Sequence, residues 1–492
     1  MSATPEPCRV VSFSLLGARA VPVEVELQHA GGLMQRIIMT GLPGHALREA
    51  RDRIRGCLAS CGLPALRRSV LVNFAPADLP KEGNGFDLPL ALGILGLEDL
   101  LPRQAFAGRA ILGELALDGR LRPVRGALLA ALEARRLGLP RLMLPRASAA
   151  EAALVQGLQV EAVETMVQAV EILKGGDVPR PPESRAATVS IPDLRDVRGQ
   201  ASARRALEIA ATGRHNLLLV GPPGTGKTML AQRLPGLLPP LPEAEALRVT
   251  ALHGLVAGGA RGVLRHPPFR APHHTLSRAG LIGGGQPLVP GEISLAHAGV
   301  LFLDELPEFP RSLLEALRQP LEDRRVRLAR AGRMVTFPAD VQLVAAMNPC
   351  PCGWLGHPRR GCRCTEHQRK AYAARISGPL LDRLDLAVEV PVPAAGQLLC
   401  ESRDEDSATV AARVAAARAQ PLPTLAIPRA AGTRARLAAV IEAFDLSGRA
   451  VTRLVAVARS IARLAGRSEA GPAEIDEALS FRLGLLDRGR PE

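Results

Sequence analysis

The stretch Leu217–Leu230, "LLLVGPPGTGKTML", decides how this chain is read. Its four leading apolar residues predict a strand buried on both faces, and the glycines after them turn that strand into a loop. Gly221, four further residues and then Gly226-Lys227-Thr228 have the spacing of a phosphate-binding loop between a strand and a helix. Gly221, Pro222, Pro223, Gly224, Thr225 and Gly226 form the loop expected to bind nucleotide, its glycines letting the available backbone N–H groups curl around phosphates at a helix N-terminus. Lys227 would reach the β- and γ-phosphates and Thr228 would ligate Mg²⁺, so ATP with Mg²⁺ is the expected cofactor pair. The chain has only four lysines against 58 arginines, and it places one of the four here. A compact ammonium fits inside such a loop where a planar guanidinium would not.

Four downstream segments extend the site. "GVLFLDELPEF", Gly299–Phe309, is an apolar strand that ends in two carboxylates. Asp304 would hold the metal through water and Glu305 would orient the attacking water. "VQLVAAMNP", Val341–Pro349, predicts a second buried strand with Asn348 at its carboxyl end, the edge that faces ligand in an open parallel sheet. In "ISGPLLDRLDLAVEV", Arg383 sits in a polar break, either as an arginine finger toward a neighbour's γ-phosphate or as a structural partner of Asp382 or Asp385. Arg449, opening the helical stretch "GRAVTRLVAVARS", is a second cationic sensor in this reading.

A chain of 492 residues is long for one core, and 47% hydrophobic content is ample for several. "GGDVPRPPESRAATVS", residues 175–190, reads as a linker between an α/β segment with strands such as "SVLVNF" and "RLMLP" and the nucleotide-binding part. From about Leu399 the periodicity is helical: "ATVAARVAAARAQ", "TRARLAAVIEAF", "GRAVTRLVAVARSIARLAG" and "PAEIDEALSFRL". No apolar run is long enough to cross a bilayer and no secretory signal is legible, so the expected compartment is the cytoplasm with no membrane partner. The net charge of +14 points to a polyanion, or to a composition that simply favours arginine. With one Trp and one Tyr, a base-stacking platform is not expected, and any grip on nucleic acid should be on phosphates.

The phosphate loop, "GEISLAHAGVLFLDELPEF", "LRQPLED", "NPCPCG" and "SGPLLDRLDL" resemble the magnesium-chelatase branch of the AAA+ ATPases. "VPVEVELQHAGGL", "GLPGHALREARDRI" and "NFAPADLPKEGNGFDLPLALGIL" are similar to the Lon-protease-like domain joined to this ATPase in the ComM/YifB family. The resemblance implies an α/β chain with a Lon-like (ribosomal S5 domain 2-like) domain over residues 1–174 and the linker at 175–190. It further implies an AAA+ P-loop core with a parallel sheet over 191–398 and a helical lid over 399–492. It also implies a hexameric, ATP-driven DNA helicase that promotes branch migration when transforming DNA recombines into a chromosome. The alternative it leaves is a magnesium-chelatase subunit for metal insertion into a porphyrin. Carried over to this sequence, Walker A is Gly221–Thr228, Walker B is Asp304 with Glu305, sensor 1 is Asn348, the finger is Arg383 and sensor 2 is Arg449. A Lon-type Ser–Lys dyad is not expected, because "KEGNGFDLP", Lys81–Pro89, has no serine and Lys81 and Lys174 lie outside the stretch that should bring the lysine.

Two insertions remain. "LEDRRVRLARAGRMVTFPADVQ" alternates around Gly332 as a β-hairpin does and carries Arg324, Arg325, Arg327, Arg330 and Arg333, a cluster suited to DNA phosphates. "HHTLSRAGLIGGGQPLVPGE" is a second glycine-rich loop, whose His273 and His274 read as structural. Behind Asn348, "CPCGWLGHPRRGCRC" gathers Cys350, Cys352, Cys362 and Cys364. A structural Zn²⁺ site, four free thiols and an iron–sulfur cluster are all compatible with that pattern, with His357 as a substitute ligand. Cys8, Cys57, Cys61 and Cys400 are scattered and read as ordinary core or surface residues.

Overall fold

In the computed structural model the described residues are 6–30, 35–41, 45–64, 66–79, 81, 85–183, 190–256, 262–285, 288–330, 333–394, 396, 404–421, 428 and 430–484. The nucleotide-binding part is built on five parallel strands: Leu217–Val220, Phe269–Arg270, Val300–Leu303, Gln342–Met347 and Leu386–Glu389. Numbered in chain order within this sheet, they stand 2-3-4-1-5. Every residue of the first, third and fourth strands is buried, which is why they read as unbroken apolar runs and not as alternating ones. The helices Ala201–Gly213 and Lys227–Leu237 pack on one face of this sheet with the C-terminal helices.

Those C-terminal helices run Ser407–Ala419, Ala431–Phe444, Gly448–Leu464 and Pro472–Ser480, where the 3.6-residue periodicity places helices. Their attachment is specific. Asp406 caps the first through Thr409 N–H, Asp193 accepts from Ser407 N–H, and Ser407 Oγ accepts from Leu194 N–H. Arg413 forks between Glu405 and Glu208, and Arg453 pairs with Asp385 at 2.8 Å.

The N-terminal part is a seven-stranded mixed sheet around the antiparallel pair Cys8–Leu16 and Arg19–Ala30, with the fully buried helix Asp87–Leu97 against it. "SVLVNF" and "RLMLP" fall in two of its strands, Ser69–Ala75 and Arg141–Pro145. Two buried carboxylates are matched by arginine forks: Arg109 to Glu161 at 2.7 and 2.9 Å, and Arg53 to Asp87 at 2.8 and 3.0 Å. One apolar core is continuous from this domain into the ATPase sheet, joining Phe13, Leu128 and Leu142 to Leu218, Leu301 and Phe337.

The predicted hairpin forms. Arg325–Arg330 pairs antiparallel with Arg333–Pro338, and the turn around Gly332 lies outside the described residues. The hairpin leans on the N-terminal domain at the turn between that domain's first two strands. Gly17 there has φ +62°, and a Cβ on it would stand 2.3 Å from Val335 Cγ1. Gly17→Val therefore forces both a left-handed valine and an overlap. It should lower stability by about 1–3 kcal/mol, read as a reduced thermal midpoint, and should loosen the hairpin against proteolysis.

Candidate nucleotide site

The phosphate loop leaves the middle of the sheet and is tied to both neighbours. Gly221 N–H donates to Met347 O at 3.2 Å, and Val390 N–H donates to Val220 O at 2.7 Å. A side chain at Gly221 is excluded because its Cβ would lie 2.2 Å from Val390 O. Gly224 and Gly226 have φ of +75° and +93°, the left-handed values that let the loop fold over itself. Thr225 Oγ1 donates to Pro222 O, and Gln200 Nε2 reaches Thr225 O and Pro391 O.

Lys227 opens the helix Lys227–Leu237 and bends back into the loop. Its ammonium donates to Gly221 O at 2.7 Å, Pro222 O at 2.8 Å and Asn348 Oδ1 at 3.2 Å. Burial pulls its pKa below the ordinary lysine value, and Asp304 and Glu305 oppose that pull. Lys227 and Asn348, 121 positions apart, thus share one hydrogen bond. Thr228 Oγ1 donates to Asp304 Oδ2 at 2.7 Å. A hydroxyl and a carboxylate side by side are the hard oxygen donors Mg²⁺ prefers, and N–H groups with an ammonium beside them suit phosphates. The donor set fits a magnesium nucleotide.

Glu305 follows Asp304 with φ of +52°, a left-handed conformation that costs a residue other than glycine roughly 1–2 kcal/mol. Its N–H donates to Asp304 Oδ1 at 3.0 Å, and its carboxylate lies 3.8 Å from His274 Nδ1. Sequence alone does not make His274 a neighbour of the site, because the two residues meet only through the pairing of the strands before them.

Arg383 does not approach the loop of its own chain, and among the described residues Arg449 has no hydrogen bond to that loop. Arg383 O accepts from Asn216 Nδ2, just before the first strand, at the sheet edge opposite the phosphate loop. Its guanidinium binds Glu322 at 2.6 Å and Arg318 O at 3.2 Å, so its acidic partner is neither Asp382 nor Asp385. Glu322 belongs to the short helix Arg318–Asp323 that feeds the arginine hairpin, so the candidate finger touches the hairpin's root. Arg449 is exposed at the second residue of its helix. One turn on, Arg453 binds Asp385 at that same far edge. On the hairpin itself Arg324, Arg325 and Arg327 are exposed, with Arg324 3.7 Å from Asp340, while Val326 and Phe337 point into the core. Arg330 and Arg333 face each other in register, and their side chains lie outside the described set.

The four-cysteine loop closes as a cluster. The sulfurs of Cys350, Cys352, Cys362 and Cys364 all lie within 4.8 Å of one another, with contacts of 3.4, 3.6 and 3.7 Å. Sulfurs around a tetrahedral zinc stand about 3.8 Å apart at the usual Zn–S length, so the cluster can hold a metal ion of that kind. Backbone N–H groups of Trp354 and Arg363 lower the Cys352 thiol to about 6, while burial pushes Cys364 up to about 12. His357 is not a fifth member: its Nδ1 accepts from Arg359 N–H and Arg360 N–H, and its ring meets Trp354 edge-on. The loop also walls the nucleotide site, since a Cβ on Gly353 would lie 2.7 Å from Pro223 Cδ. Tyr372, the chain's one tyrosine, presents its hydroxyl to the Asn348 N–H, and burial raises its pKa to about 12.

Residues 193–398 match the family described as magnesium chelatase, subunit ChlI; residues 23–148 match subunit ChlI of Mg-chelatase, and 424–482 its C-terminal part. The competence protein ComM of Haemophilus influenzae is 40% identical over 96% of this chain and 97% of its own length. The chain belongs to the ComM/YifB family. Salmonella typhimurium YifB is 41% identical over 96% of both chains. Likeness outside this family is partial. A magnesium-chelatase 67 kDa subunit of Heliobacterium mobile is 29% identical over 33% of this chain, and a peroxisomal Lon protease homologue of Caenorhabditis elegans is 28% identical over 29% of it. The ComM/YifB chain described here carries Lys81 fully buried, donating to the carbonyls of Gly41, Phe74 and Pro76. Among the described residues, no helix is long and apolar enough to cross a membrane.

Glu305→Gln should keep ATP binding and lower kcat by about 10²–10⁴-fold, the range for losing a general base. Lys227→Ala should remove nucleotide binding itself, measured by fluorescence of a labelled ATP analogue.

Proposed function

We propose that this protein is an ATP-driven DNA motor that works as a homo-hexameric ring in the cytoplasm and promotes branch migration during recombination of incoming DNA. The observation that carries the reading is the arginine hairpin, whose second strand leads through Asp340 directly into the strand that ends at Asn348. A movement at the phosphates then has a short covalent path to a cationic surface suited to a polynucleotide backbone. The full-length likeness to a competence protein supports the same reading, and so does the formal charge of +14. The chelatase alternative has only the partial likeness to a magnesium-chelatase subunit behind it.

Bound Mg–ATP supplies the phosphoanhydride whose cleavage drives the cycle. The residues here do the rest. Backbone N–H groups of Gly224–Lys227 and the Lys227 ammonium hold the phosphates. Thr228 and Asp304 offer oxygens to the metal. Glu305 orients a water and takes its proton, and Asn348 senses the terminal phosphate. Arg383, turned away from its own loop, serves a neighbour in the ring as the finger, and Arg449 is the second sensor. Cys350, Cys352, Cys362 and Cys364 would hold a structural zinc, which would keep Gly353 against the phosphate loop.

Arg325→Ala with Arg327→Ala should weaken DNA binding and flatten the slope of log affinity against log salt by at least about 1, since each phosphate contact contributes about 0.9 to it. Unwinding or migration of a branched substrate by wild type, absent in Lys227→Ala and Glu305→Gln, is the direct assay. ATPase that ignores DNA together with an inert branched substrate would defeat the reading. Metal analysis should find one zinc per chain, lost with ATPase activity in Cys350→Ser plus Cys362→Ser.

A further inference from the structure

The cysteine loop carries a cationic surface that the nucleotide site does not use. From Pro349 to Thr365 the chain has no carboxylate, and Arg359, Arg360 and Arg363 in that stretch are all exposed. Arginines elsewhere in the chain are commonly forked on carboxylates, as Arg53, Arg109, Arg270 and Arg413 are. Among the described residues no carboxylate pairs with Arg359, Arg360 or Arg363. The nearest acid along the chain, Glu366, is taken by Lys370 at 3.2 Å.

These arginines are held in place by the loop's own contacts. His357 Nδ1 accepts the N–H groups of both Arg359 and Arg360 at 3.0 Å, which fixes the turn after Pro358. The Arg360 guanidinium lies 4.3 Å from the centre of the Trp354 ring, and that ring meets His357 edge-on at 5.1 Å. Arg363 N–H donates to the Cys352 sulfur, which fixes its backbone against the cluster. At the loop's exit Thr365 and Gln368 exchange hydrogen bonds of 2.9 and 3.2 Å and cap the helix Glu366–Ala373. Guanidinium groups ordered side by side repel one another, and no acid within the loop offsets that cost. A bound polyanion would offset it.

The loop leaves the carboxyl end of the strand Gln342–Met347, and the arginine hairpin enters the same strand at its other end. Six residues of strand span about 20 Å, so the loop is not a continuation of the hairpin's surface. We propose that Arg359, Arg360 and Arg363 form a second phosphate-binding surface for DNA, displayed by the cysteine loop at the opposite end of that strand from the hairpin. The chemistry it recognises is the sugar–phosphate backbone. Guanidinium forks match phosphate oxygens, and the aromatic ring beside them, Trp354, is already engaged by Arg360. For its ligand the inference rests on the DNA-motor reading; for the ordered arginines without acidic partners it does not.

Trp354 is the chain's one tryptophan, so its emission reports on this loop alone. Titrating a random-sequence duplex oligonucleotide into wild type should change that emission along the same isotherm that the anisotropy of a labelled duplex gives. Arg359→Ala, Arg360→Ala and Arg363→Ala together should weaken duplex binding by about tenfold or more. They should flatten the slope of log affinity against log salt by about 2–3, at about 0.9 for each phosphate contact. Arg359→Lys, Arg360→Lys and Arg363→Lys together keep the charge and should keep most of the slope; a lysine variant as flat as the alanine one overturns the phosphate grip. A wild-type slope in the alanine variant overturns the surface, as does wild-type emission that ignores a duplex shown by anisotropy to bind. Should the alanine variant fail to fold, that emission titration decides. Loss of bound metal, with affinity falling only in step with it, marks arginines that offset the charge of the sulfur cluster and overturns the proposal. An unchanged slope with loss of the hexamer in sedimentation marks a face for a neighbouring subunit and overturns it too. If wild type binds no duplex, the motor reading and this surface fall together. If it binds and only Arg325→Ala with Arg327→Ala flattens the slope, the motor reading stands and this surface falls alone.

Discussion

The site depends on one ammonium. Lys227 is buried, and it keeps its charge there because Gly221 O, Pro222 O and Asn348 Oδ1 surround it and two carboxylates lie nearby. Removing a cation from water without partners costs far more than a loop of this size could offset. With those partners the lysine draws the start of the loop, the first turn of its helix and the end of the neighbouring strand toward a single point. The glycine conformations at 224 and 226 serve that convergence, and so does the close approach of Gly353 to Pro223. A phosphate entering the loop must compete for the ammonium with Asn348, so nucleotide occupancy and the asparagine's position are coupled from the first contact.

Much of this site is legible in the chain. Leu217–Val220, Val300–Leu303 and Leu343–Met347 are apolar throughout because both faces of a parallel sheet are covered, and the glycine spacing after Val220 leaves the backbone little freedom there. The C-terminal helices announce themselves by periodicity, and the hairpin by alternation around a glycine. Contacts between segments distant in sequence stay hidden. Nothing near Arg383 says that its partner is Glu322, since Asp382 and Asp385 are closer along the chain. Nothing in "APHHTL" says that His274 faces a carboxylate 31 positions later. The direction in which Arg383 faces is equally illegible, because it depends on which sheet edge its element approaches and not on local pattern.

The cysteine loop is a middle case. Spacing brings the four sulfurs to notice, and folding brings them within reach of one another. Only the folded chain reveals that the loop is also a wall of the nucleotide site, through Gly353 on one side and Tyr372 beside Asn348 on the other. The large free energy of a thiolate–metal cluster, about 10–16 kcal/mol in small peptides, would then stiffen a segment that has almost no apolar core of its own.

The turn at Gly17 gives the N-terminal domain a mechanical meaning. A two-stranded ribbon standing alone is a soft cantilever, whereas one propped from behind near its base is a beam with a fulcrum. In the proposed motor, force applied at Arg325 and Arg327 would be delivered partly into the N-terminal sheet through Val335 and Phe337, and not wholly into the strand before Asn348. The stiffness of that abutment would then set the gearing between a tug on the arginines and the displacement felt at Asn348.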